Sequence, residues 1–199
     1  MIDCHRDGRV AVLTIDRPDK ANALTPFMLE SLIARVGEHA DAHALILTGR
    51  GRVFSAGADL EAARAGLATS PLWEALSGAI AGFQGLSIAA LNGTLAGGAF
   101  GMALACDLRL GVPGAGFFYP VMKLGFLPQP SDPARLRALI GPARTRLLLM
   151  GGARLSAQQA LAFGLIEEIC DDPLARAHEL CADALTAERG HVGAIKSMI

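Results

Sequence analysis

Two glycine-rich segments offer backbone chemistry. In Val53-Phe-Ser-Ala-Gly-Ala-Asp-Leu60, small residues follow an apolar run, so the main chain can come close to a ligand. In Leu91-Asn-Gly-Thr-Leu-Ala-Gly-Gly-Ala-Phe-Gly-Met-Ala-Leu-Ala-Cys-Asp107, a glycine pair opens a stretch of small and apolar residues that reads as a helix. A helix start carries unpaired N–H groups and the positive end of the dipole. Two such donors, one from each segment, suit an oxyanion developing on a substrate. Taken singly, each segment reads first as a tight packing turn, because closely packed backbones also demand glycine. Several other chemistries are missing. Gly97-Gly98-Ala-Phe-Gly101 has the wrong spacing for the dinucleotide fingerprint G-x-G-x-x-G, and neither G-x-x-x-x-G-K-S/T nor G-x-S-x-G occurs. The cysteines Cys4, Cys106, Cys170 and Cys181 form no C-x-x-C pair and have no histidine at zinc spacing, so no metal site is expected and a reducing, cytoplasmic compartment is.

The elements that must position these segments alternate. Val10–Asp16 is β-branched and bounded by Gly8 and Pro18, which predicts a strand. Thr25-Pro26 reads as an N-cap with an N1 proline, and Phe27, Leu29, Leu32, Ile33 and Val36 keep helical spacing as far as Gly37. Ala44–Thr48 is an apolar strand, and strand-helix-strand in so short a span is a crossover unit. The pattern recurs with a helix over Trp73–Phe83, strands at Ser87–Leu91 and Asp107–Leu110, and a small-residue helix over Gly98–Cys106 between them. From Asp132 onward the spacing predicts helices at Pro133–Ile140, Pro142–Met150, Ser156–Phe163 and Pro173–Ala187, with one strand near Ile166–Ile169.

A chain of 199 residues with 52% hydrophobic and 19% charged residues can bury one sizeable core, which excludes disorder and two large domains. With 18 Lys+Arg against 19 Asp+Glu the formal net charge is −1, so no overall field draws in nucleic acid or an anionic membrane. The first residues, MIDCHRDGRVAVLTID, carry charges throughout and read as no secretory signal. The stretch from Ala75 to Cys106 has no charged residue and is long enough to cross a bilayer. Its seven glycines and the Asn92-Gly93 turn make it a buried strand-turn-helix instead.

In combination and in order, Arg17-Pro18, Asn22-Ala-Leu24, Ala44-Leu-Ile-Leu-Thr-Gly49, Phe54-Ser-Ala-Gly-Ala-Asp59, Asn92-Gly93, Ala96-Gly-Gly98 and Cys106-Asp107 resemble the crotonase (enoyl-CoA hydratase/isomerase) superfamily. Tyr119-Pro120, Leu124-Gly125, Pro128, Arg135-Leu136 and Ser156–Leu165 extend the likeness, which covers about residues 8–170. The resemblance implies an α/β fold, a spiral of ββα repeats with a C-terminal helical part, forming one domain over residues 1–199. It also implies a homotrimer or homohexamer that takes a coenzyme A thioester as substrate, with no permanently bound cofactor and neither nucleic acid nor membrane as partner. An enolate would be held at the thioester oxygen. By position, the two oxyanion donors are the N–H groups of Ala58 and Gly98. Ala56 would offer its carbonyl to the adenine with Asp59 and Leu60 beside it, and Lys20 would stand near the CoA phosphates, although as a lone loop lysine it also reads as plain surface.

The departures decide the chemistry expected. Hydratases of this superfamily carry one glutamate three residues after the oxyanion glycine and another directly after the proline that matches Pro120; here those positions are Gly101 and Val121. Hydration needs a base to activate water and an acid for the α-carbon, so isomerase-type or other proton-transfer chemistry is expected ahead of it. Other members place an aspartate where this chain has Gln129, and the nearest carboxylate is Asp132. In Ser131-Asp-Pro133 it reads first as an N-cap before an N1 proline and second as a catalytic base. Tyr119 and Lys123 are further polar candidates, each read first as a packing or surface residue. The alternative reading is a non-catalytic acyl-CoA-binding or assembly subunit, and a hydrolase or decarboxylase variant comes third. Residues 171–199 read as a shortened helical segment, ending at Ala194-Ile-Lys-Ser-Met-Ile199 where the resemblance implies further helices over the acyl pocket.

Overall fold

In a computed structural model, which describes every residue except 189, the chain begins with a hairpin the sequence pattern did not reveal. β1 (Ile2–Asp7) lies antiparallel to β2 (Val10–Ile15), turning at Gly8 with φ +54°. β1 is an edge strand with most of its side chains in solvent, so it lacks an apolar face. α1 (Pro26–Glu38) starts where expected: the Thr25 hydroxyl accepts from the Met28 N–H at 3.3 Å and Pro26 sits at N1. It buries Met28, Leu29, Leu32 and Val36 and leads to β3 (Ala44–Gly49), parallel to β2.

Three ββα turns follow. β4 (Val53–Ser55) leads to α2 (Leu60–Arg64) and α3 (Leu72–Ala81); β5 (Leu86–Leu91) and β6 (Thr94–Ala96) lead to α4 (Phe100–Ala105); β7 (Leu108–Gly111) and β8 (Gly116–Phe118) lead to α5 (Val121–Leu124) and α6 (Asp132–Leu149). The expected helix over 98–106 is a 3-10 turn at Gly97–Ala99 running into α4, and Gly141, at φ +75°, breaks α6 before Pro142. β9 (Arg154–Ser156), α7 (Ala157–Phe163), β10 (Glu168–Ile169), α8 (Pro173–Leu180), α9 (Ala182–Thr186) and α10 (His191–Lys196) complete the order. The single helix expected over Pro173–Ala187 is therefore two helices, parted at Cys181.

The long strands form one sheet in the order β1-β2-β3-β5-β7-β10, and the short ones a second in the order β4-β6-β8-β9. Alternation along the long strands buries both faces of the first sheet, as parallel strands require. Leu13, Leu45, Leu47 and Leu91 face the main core with α1, α3 and α4, while Val12, Ile46, Ile88 and Leu110 meet Ala177 of α8 and Cys181 just after it on the other side. The uncharged run from Ala75 to Cys106 is the end of α3, β5, β6 and α4, and among the described residues no helix is long and apolar enough to cross a membrane.

Candidate active site

The two glycine-rich segments meet at the ends of β4 and β6, which pair in parallel. At the end of β4 the Ser55 hydroxyl donates to the Asn22 carbonyl at 2.8 Å and accepts from the Gly57 N–H at 3.2 Å. The chain then turns through Gly57, at φ +89°, where a Cβ would lie 2.9 Å from the Ala96 carbonyl oxygen and 3.3 Å from the Gly98 nitrogen. Gly97 turns the other segment at φ +57°. Glycine is needed at 57 because the two backbones touch there and favoured at 97 by the positive φ alone. Leu24 forms a bridge to Ala58, taking the Gly57 carbonyl at 2.7 Å and receiving the Asp59 N–H at 2.8 Å. These bonds leave the Ala58 N–H over, and Gly98 lies one residue into the 3-10 turn Gly97–Ala99 that faces it.

Ala58 and Gly98 both line a cleft of about 400 Å³. Its wall is lined by apolar residues apart from Arg64, Gln129 and Tyr119. Trp73 closes the side above Gly98: its indole N–H donates to the Leu67 carbonyl at 2.8 Å, and a Cβ at Gly98 would stand 3.1 Å from three of its ring atoms. Among the described residues no three His, Cys, Asp or Glu side chains gather as metal ligands.

Of the expected site residues, Ala56, Ala58, Leu60 and Gly98 line the cleft, with Leu60 at its rim and 75% exposed. Asp59 turns away from it. Its carboxylate accepts from Arg17 at 2.8 Å and caps α2 through the N–H groups of Glu61 and Ala62 at 3.0 and 3.3 Å. The Arg17 hydrogen bond, then that from Ala62, holds it below the usual carboxylate range. Lys20 is exposed on a 3-10 turn, Pro18–Lys20, outside the cleft wall.

Asp132 corrects the first reading made of it. It caps nothing: Ser131 stands at the cap position of α6, no side chain accepts from the first-turn N–H groups, and Asp132 has no exposed surface. Its Oδ2 accepts the Tyr119 hydroxyl at 2.7 Å, and its Oδ1 has no partner among the described residues. A Cβ built on Gly101 would lie 3.1 Å from that Oδ1, so the Asp132 carboxyl fills space beside the position expected to carry a glutamate. Around it, Ser131 binds Glu74 of α3 at 3.1 Å, and Arg135 donates to Ser131 at 2.8 Å and to Ser77. Burial pushes the Asp132 carboxyl up to about 6, helped by Glu74 and opposed by the Tyr119 hydrogen bond and Arg135.

Two of the lining groups leave no sign in the sequence, and a third leaves a weak one. Trp73 follows helical spacing and is indistinguishable from core, Arg64 carries no local signal, and Tyr119 was read as packing. Its ring does pack, stacking on Phe100 at 5.2 Å, yet it also lines the cleft.

The sequence profile of the enoyl-CoA hydratase/isomerase family matches residues 5–199. This chain belongs to that family. Its chemistry is that of a crotonase-type acyl-CoA enzyme. A probable enoyl-CoA hydratase of Mycobacterium tuberculosis, EchA14, is 36% identical over 200 residues, 96% of this chain and 78% of that protein. The carnitinyl-CoA dehydratase of Salmonella enteritidis is 36% identical over 174 residues, 82% of this chain and 66% of that protein. Among solved structures, Pseudomonas aeruginosa DspI superimposes with a TM-score of 0.90 at 30% identity, covering 98% of this chain and 84% of that one. The enoyl-CoA hydratase of Bacillus anthracis does so with 0.89 at 29% identity, covering 98% and 81%.

Proposed function

We propose that this enzyme shifts a proton along an acyl-CoA, holding the thioester oxygen on the N–H groups of Ala58 and Gly98 while Asp132 keeps the proton in transit. The observation that carries the reading is the placement of one buried carboxyl, delivered from α6 into the space beside Gly101. Two preorganised N–H donors stabilise the enolate oxygen in a site whose apolar wall keeps the local dielectric low. One carboxyl suffices for isomerisation, because the proton removed from one carbon is given back to another. Hydration asks for a second group to activate water, and the other candidate position is Val121, apolar and 7% exposed. The same reading places the adenine at the Ala56 carbonyl near Leu60, with Asp59 and its Arg17 partner holding that loop and Lys20 at the phosphate side.

Similar proteins carry hydratase and dehydratase names, so hydration is the reaction to test against. With 3-butenoyl-CoA the enzyme is expected to form crotonyl-CoA. With crotonyl-CoA the 3-hydroxy product is expected several orders of magnitude more slowly than from an efficient hydratase, since each missing acid or base group is worth about 10²–10⁴-fold. Rapid hydration of crotonyl-CoA, near 10⁷ M⁻¹s⁻¹ or about that scale in kcat/KM, overturns the reading. The second reading, a binding subunit without turnover, draws on the absence of any carboxylate from the cleft wall itself. Binding of these thioesters without conversion would establish it.

A further inference from the structure

We propose that Tyr119 is the catalytic residue that meets the acyl carbon, and that Asp132 acts only through it, as the far end of a two-member proton relay closed to solvent. The inference rests on the proton-shift reading above and adds the group that touches the substrate.

Asp132 does not line the cleft, whereas Tyr119 does, and the Tyr119 hydroxyl is hydrogen-bonded to Asp132. Its geometry is fixed on three sides. The ring stacks on Phe100 at 5.2 Å, the hydroxyl donates to Asp132 Oδ2 at 2.7 Å, and its oxygen accepts the Gln129 N–H at 3.3 Å. The phenolic oxygen thus donates once and accepts one long bond, weak enough at 3.3 Å for a substrate proton to displace. The Oδ1 of Asp132, buried against Gly101, finds no donor among the described residues, which leaves the carboxyl ready to take a proton.

The relay balances. A proton leaves the α-carbon for the Tyr119 oxygen as the Tyr119 hydroxyl proton moves to Asp132 Oδ2. The C–H electron pair becomes the enolate held by Ala58 and Gly98. In the second half the Tyr119 hydroxyl gives a proton to the γ-carbon and Asp132 returns its own to Tyr119. Nothing is consumed and no water takes part. Because Asp132 has no exposed surface and Tyr119 is 3% exposed, the proton in transit is kept from exchange with solvent.

The test uses 3-butenoyl-CoA deuterated at C2, turned over in ordinary water. The wild type is expected to place a large share of the label on C4 of crotonyl-CoA. Tyr119→Phe keeps the stacked ring and is expected to bind the thioester with unchanged affinity by calorimetry while losing about 10²–10⁴-fold in turnover. Asp132→Asn, with Tyr119 intact, is expected to lose turnover similarly and to lose the acidic limb of kcat/KM, which in the wild type falls as pH drops through the Asp132 value of about 6. The charged and titratable neighbours of Asp132, namely Tyr119, Arg135 and Glu74, are unchanged in that variant. A Tyr119→Phe enzyme of wild-type rate, or complete loss of label to water, overturns the relay and leaves the proton-shift reading standing. A wild type that neither isomerises the thioester nor exchanges its C2 protons overturns both.

Discussion

Replacing Asp132 by asparagine has a consequence for stability that depends on pH, and its size follows from the site. Burial raises the carboxyl from 3.8 in the unfolded chain to about 6 in the folded protein. A raised carboxyl favours folding while protonated, so its contribution is fully present below the unfolded value and is lost as pH rises through the folded one. A shift of about 2 units at 1.36 kcal/mol each makes the ionised form about 3 kcal/mol less favourable for folding above pH 6. Asparagine escapes that term. It also sets an amide in the slot of the unpartnered Oδ1 beside Gly101, and a buried polar group without a partner costs about 1–3 kcal/mol at any pH. Urea unfolding of both proteins from pH 4 to pH 8 is therefore expected to show the variant less stable at the acid end. It should then gain on the wild type by more than about 2 kcal/mol across the range. A difference between the two that stays flat with pH would refute the reasoning, because it would mean that Asp132 ionises in the fold as easily as in the unfolded chain.

Other substitutions probe the backbone contact that builds the site. Gly57→Ala sets a Cβ 2.9 Å from the Ala96 carbonyl at φ +89°, and urea unfolding is expected to show a loss of about 2–4 kcal/mol from left-handed strain and overpacking together. Gly101→Ala places a Cβ 3.1 Å from Asp132 Oδ1, and a loss of about 1–3 kcal/mol is expected. In a double-mutant cycle with Asp132→Ala, much of that loss should disappear, a coupling on the order of 1 kcal/mol between residues in contact.

The long parallel strands and the helices between them were legible because β-branched and apolar runs bounded by glycine and proline leave few alternatives. The elements that escaped have physical reasons for doing so. β1 reads Ile2-Asp-Cys-His-Arg-Asp7, and an edge strand that exposes most of its residues needs no apolar alternation. β4, β6, β8 and β9 are three residues each, too short to show a period, and they are held by pairing to one another. The two glycine-rich segments were legible because the backbone itself makes the site there: Gly57 and Gly97 hold positive φ, and sequence records that need as glycine.

Asp132 could be named from the sequence as a candidate base, but the placement of its side chain was not legible, since its environment comes from other elements. Ser131-Asp-Pro133 has the residue types of a helix start, and a helix does start there, so the local pattern was right about the backbone and wrong about the side chain. What turns the carboxyl inward is the Tyr119 hydroxyl after β8 and the bare Cα of Gly101 on α4. Read along the chain, Gly101 is a missing glutamate and Asp132 an unexpected acid, two separate departures from the superfamily pattern. In space they are one. A side chain at 101 and the Asp132 carboxyl compete for the same volume, which the bare Cα of Gly101 leaves to the carboxyl. Neither can be interpreted without the contact between them. The carboxyl reaches that place from α6 rather than α4 and meets Tyr119 before it meets the cleft, and this order of contacts makes a tyrosine the group through which a buried acid would have to act.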